Sequence, residues 1–137
     1  MGPAESLGME SQSGLFKAGT ILLLVGAIFE TLGALFLVTM GLVFLLVGHA
    51  VHTSSGSSSG FAGTFIGIFY LALSPILAVG AIFAFVGHAK ARRGDAHGGW
   101  VFGLVGSLLP PIQVITLLGA IFCMVSPENE AQKTKTV

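Results

Sequence analysis

Hydrophobic and polar positions alternate in long blocks along this chain. Ala18 to Val51 is apolar and is broken by one charge, Glu30. Phe61–Gly87 and Gly99–Val125 carry no charge at all. Between the blocks lie "HTSSGSSSG" at 52–60 and "HAKARRGDAHG" at 88–98. A helix needs about 20 apolar residues to cross the hydrocarbon core, and each block exceeds that. The first block is too long for the apolar region of a signal peptide, so it reads as a retained span. The pattern predicts an all-α integral membrane bundle of three long transmembrane helices. Residues 1–16 read as a flexible N-terminal tail, 17–126 as the transmembrane domain and 127–137 as a flexible C-terminal tail. Pro110-Pro111 interrupts the third block, and the alternative reading splits it there into two short helices, giving four segments.

The glycines give the blocks a face. Gly19, Gly26, Gly33, Gly41 and Gly48 are spaced 7, 7, 8 and 7. At 3.6 residues per turn they fall within an arc of about 80° on one continuous helix. A chain reversal inside the block would not keep that phase, so one helix of roughly 45–50 Å is expected, which must tilt or project from the bilayer. Gly60, Gly63, Gly67, Ser74, Ala78 and Ala81 share a face of the second block, with Pro75 as a kink. Gly99, Gly103 and Gly106 open the third on one face. Small residues on one face let membrane helices approach closely and gain packing energy. "GLVFLLVGHA" at 41–50 echoes "GAIFAFVGHA" at 80–89; with so few residue types, chance explains this as well as duplication does.

Composition strengthens the membrane reading. Only 9% of the 137 residues are charged, and the formal net charge is zero, against about 25% charged residues in a soluble domain. Mean hydropathy is +0.92. There is no basic stripe for nucleic acid. The single cysteine, Cys123, excludes an internal disulfide and reads as a packing residue. Lys90, Arg92 and Arg93 sit in a short loop, where the positive-inside rule makes loop 88–98 cytoplasmic in a multi-pass cell-membrane protein. The Ser/Gly linker is then outside and the N-terminus inside. With three spans the C-terminus faces out; with four segments it faces in. Trp100 suits the interface. The three cations also attract anionic headgroups.

From residue 61 onward the pattern of "VGAIFAFVGHAKARRGD", "HGGWVFGLVGSLL" and "PPIQVITLLGAIFCMVSP" resembles the DUF4064-like family of small multi-span prokaryotic membrane proteins. That resemblance implies a Gly-rich first helix, a helix ending in a basic turn, a Gly-led helix and a late Pro-containing segment. It implies no catalytic residue.

Glu30 is the sharpest candidate for chemistry, because intramembrane acids are costly. It lies inside the glycine seam, about 40° from Gly26. A polar intramembrane cluster of Glu30, Tyr70 and Gln113 is expected, with Ser74, Thr116 and His88 as further polar neighbours. His49 and His52 are three apart, a spacing that metal ligands use, but no third ligand is near, so no metal or other cofactor is expected. No hydrolase, phosphate-loop, zincin or dinucleotide signature occurs. The chain therefore reads as a non-enzymatic packing or accessory subunit, alone, as a homo-oligomer or within a larger membrane complex, with lipids as its surroundings. The alternative is a small proton or cation channel or carrier centred on Glu30.

Overall fold

The computed structural model describes residues 13–56, 58–108 and 114–135. The regular elements among them are all helices: α1 Gly14–Ser55, α2 Ser58–Arg92, α3 Ala96–Leu108, α4 Val114–Met124 and α5 Pro127–Lys135. Two of these, α1 and α2, are long and apolar enough to cross a membrane. α1 is one unbroken helix of 42 residues. It ends at Gly56, whose φ of 61° is a left-handed conformation that glycine adopts without strain.

α2 runs through Pro75 without ending. The proline has no N–H for the carbonyl of Leu71, four residues back. The hydroxyl of Ser74 donates to that carbonyl instead, at 2.9 Å. This is how a helix in an apolar medium tolerates a proline: a nearby side chain satisfies the freed acceptor.

The third apolar block is not one long helix. It forms two short ones, α3 of 13 residues and α4 of 11. The long apolar helices are therefore two, with a third span only if α4 and α5, bent by 51° at their break, count as one. The Pro110-Pro111 break itself lies outside the described residues. The polar stretch expected as a C-terminal tail is also different, since Pro127–Lys135 is helical. At the other end the helix begins at Gly14, within the stretch expected to be a tail.

The chain divides into two compact units. The first combines Met1–Ile28 with Gly80–Val137, and the second is Phe29–Val79. In the first unit, α3 runs antiparallel to α2. Gly99 packs on Ala91, Gly103 meets Gly87, and Gly106 meets Gly80 and Ala84. Each turn forward on α3 is matched by a turn back on α2. α4 runs antiparallel to the start of α1 in the same way: Cys123 faces Gly19, Gly119 faces Leu23, and Thr116 faces Gly26. α3 and α4 also have opposite directions. Gly103 lies against Ala120, while Trp100, near the start of α3, reaches Asn129, past the end of α4. Phe16, Leu23, Ala91, Ala96, Ala120 and Cys123 form the buried core, with Trp100 and Leu104 against it.

The second unit is an antiparallel hairpin of α1 and α2. His52 lies opposite Gly60, Gly48 opposite Gly63 and Thr64, Gly41 opposite Gly67 and Leu71, and Gly33 opposite Leu77. Leu77 is the one buried large hydrophobic side chain of this unit among the described residues. Many of its other large apolar side chains are exposed, Phe36, Leu46, Phe61 and Phe65 among them.

Candidate functional site

Helix ends leave unpaired N–H and C=O groups. In the first unit, several of these ends are finished by one short helix, α5. Its start is encoded by Ser126-Pro127-Glu128, a cap residue, a proline at the first helical position and an acid in the first turn.

Three side chains of α5 make the closure. Glu128 accepts hydrogen bonds from the backbone N–H of Ser13, at 2.5 Å, and from its hydroxyl, at 2.9 Å. The Ser13 oxygen in turn accepts from the N–H of Phe16 at 3.2 Å. The N-terminus of α1 thus holds its own cap and a carboxylate, which its dipole favours. Asn129 is fully buried. Its amide donates to the last carbonyl of α4, Met124, at 2.8 Å. Its oxygen accepts from the indole N–H of Trp100 at 3.2 Å. Ser126 donates to the neighbouring carbonyl of Cys123 at 2.7 Å. Gln132, one turn further, accepts from the N–H of His97 at 2.9 Å and donates to the carbonyl of Gly94 at 3.0 Å. One polar helix therefore finishes the start of α1, the start of α3 and the end of α4.

Burial acts to raise the Glu128 pKa. Hydrogen bonds from the Ser13 backbone, its own backbone, and the Ser13 and Ser126 hydroxyls outweigh that and hold it below the ordinary carboxylate range.

The basic island makes a tight turn beside α5. Gly94, with φ 86°, closes α2. Its N–H donates to Ala91 and that of Asp95 to Lys90, a Schellman pattern. Asp95 then caps α3 by accepting from the N–H of Gly98 at 2.8 Å. Lys90 lies 3.6 Å from Asp95 and 5.4 Å from the centre of the Phe102 ring. Lys90 is therefore tied down within its own turn. Arg92 and Arg93 are exposed. Deeper in this unit, His88 Nδ1 donates to the carbonyl of Thr20 at 2.9 Å, fixing α2 level with α1.

Glu30 is 3% exposed and is not isolated from interaction. It shares one face of α1 with Gly26 and Gly33, one turn to either side. Tyr70 does not join it. The ring of Tyr70 packs edge-on against Phe44 at 5.9 Å, and Phe44 is fourteen residues, about 21 Å, along α1 from Glu30. Gln113 lies outside the described residues. His49 and His52 are both exposed near the end of α1. Among the described residues no three His, Cys, Asp or Glu side chains converge as a metal site requires.

Sequence reasoning missed Ser13, Glu128, Asn129 and Gln132. The helix-start signal at Ser126-Pro127-Glu128 was available to it, and so was the Gly94-Asp95 stop-and-start. No protein-family model, curated protein or solved structure matches the chain.

Proposed function

We propose that this chain is a non-enzymatic integral membrane protein with two spans, α1 and α2, and a re-entrant pair, α3 and α4. Its role is that of a packing or accessory subunit in the membrane. α3 is about 20 Å long and α4 about 17 Å, both short of a hydrocarbon core of about 30 Å. Their opposite directions fit a segment that dips in and leaves by the face it entered. α5 is too polar to continue α4 across the membrane, so it rests at the interface.

The observation that carries this reading is the polar cap. Ser13, the 93–95 turn and α5 are bonded together, so the start of α1, the end of α2 and the end of α4 belong to one membrane face. All six Lys and Arg of the chain are in the unit that bears this cap. The positive-inside rule makes that face cytoplasmic. Reporter fusions test it: a fusion after Val137 and one after Gly94 are expected on the cytoplasmic side, and one at residue 57 on the outer side. An outer C-terminus would restore a third full span.

Burial of Glu30 in the seam supports a second reading, a proton or cation pathway. Flux through proteoliposomes separates the two. The accessory role expects none in wild type or in Glu30→Gln. A conductance in wild type that Glu30→Gln abolishes would favour the pathway.

A further inference from the structure

We propose that Lys17, Arg92 and Arg93 form a binding site for the headgroup of an anionic phospholipid at the rim of the polar cap. The inference rests on the cap being a membrane interface. Among the described residues, the cap's carboxylates are already committed. Asp95 is held by Lys90 and the Gly98 N–H, Glu128 by Ser13, and Glu130 by Lys133 at 3.3 Å. The cations left over are not scattered. Phe16 and Ala91 share one buried core, and Lys17 and Arg92 are their immediate neighbours in sequence. The bond from His88 to Thr20 sets the same level on the two helices. Lys17, Arg92 and Arg93 are all exposed, and no hydrogen bond or ion pair engages their side chains among the described residues.

Apolar surface continues below them. Ile21, one turn inward of Lys17 on α1, and Phe85 on α2 are 60% and 41% exposed. A ligand that satisfies both parts has a phosphate for the guanidinium forks and acyl chains for the helix flank. An anionic lipid has both, and free phosphate has only the first. Lys90, the third cation of the island, is excluded because Asp95 and Phe102 hold it.

The test is native mass spectrometry of the full chain in mild detergent. It is titrated with phosphatidylglycerol, with phosphatidylcholine of the same acyl chains, and with inorganic phosphate. Each cation is worth about five-fold in binding. Wild type is expected to prefer phosphatidylglycerol by about a hundredfold, and the K17Q/R92Q/R93Q variant by no more than about two-fold. Lys133→Gln alters net charge outside the proposed site and is expected to leave the preference within about two-fold. The proposal fails if the triple variant keeps its preference, or if Lys133→Gln lowers it as much as Lys17→Gln does. It also fails if inorganic phosphate displaces the lipid at equal concentration. Retention of both lipids without preference would overturn the headgroup site alone, whereas retention of neither would overturn the membrane reading beneath it.

Discussion

The two units solve helix packing by opposite means. The hairpin of Phe29–Val79 is held by closeness. A Cβ at Gly67 would lie 2.7 Å from the backbone nitrogen of Leu45 and 2.8 Å from the carbonyl of Gly41, and one at Gly60 would lie 2.6 Å from the backbone of His52. Backbone meets backbone, and most large side chains face outward. The other unit has a buried core and a cap in which side-chain hydrogen bonds finish three helix ends. Outward-facing Phe and Leu cost little where the surroundings are lipid. Unsatisfied helix ends are costly wherever they are buried, so the polar chemistry gathers where several ends meet.

The largest break in this comparison comes from filling the hairpin seam. Gly67→Leu forces two backbones apart with no flexible group to yield, and costs about 1–3 kcal/mol. A lowered unfolding midpoint in detergent is the expected result. Gly98→Ala, in the cap, costs at most about 1 kcal/mol. There the added carbon meets the side chains of Asp95 and Lys90 rather than a backbone.

Next in size is Asn129→Leu. It strips the indole N–H of Trp100 and the carbonyl of Met124 of their buried partner, at about 1–3 kcal/mol. Trp100 is the chain's only tryptophan, so undocking of α5 reads as a change in its emission. Protease cleavage between Ser126 and Lys135 is expected to accelerate.

Glu128→Gln has a smaller effect that depends on pH. The folded-state pKa of Glu128 is depressed, so its carboxylate stabilises the cap fully above the ordinary glutamate value. That contribution fades as pH falls below about 4.5 and through the folded-state pKa. An acid titration of Trp100 emission is expected to show a transition in that range for wild type. The transition is absent in the variant. Smallest is Lys90→Gln, which removes an ion pair whose side chains are 41% exposed. It is worth less than about 1 kcal/mol, and the midpoint should barely move.

Much of the hairpin was legible because glycine phase records which face of a helix is close to something. Phase does not record what that something is. The seam from Gly19 to Gly48 reads as one surface, yet Gly19 and Gly26 face α4 while Gly33, Gly41 and Gly48 face α2. Hydropathy placed the long helices for the same one-dimensional reason. It also merged α3 and α4, since both are apolar and neither direction nor depth is written in composition. It dismissed 127–137 as a tail because Pro127–Lys135 is polar and has no apolar face to mark it as a helix. Its meaning lies in Glu128, Asn129 and Gln132, whose partners are 115, 29 and 35 residues away along the chain. Glu30 was legible as buried. Its grouping with Tyr70 failed because wheel angles fix a face and leave the height along the helix open.

The bond between the first turn of α1 and the first turn of α5 tests the whole arrangement most directly. In a Cys123→Ser background, cysteines introduced by Ser13→Cys and Glu128→Cys can be oxidised in native membranes. Rapid formation of an intramolecular cross-link, absent in either single variant, is the result this arrangement predicts. If the third apolar block crosses the membrane completely, those positions lie on opposite faces, and no intramolecular cross-link will form.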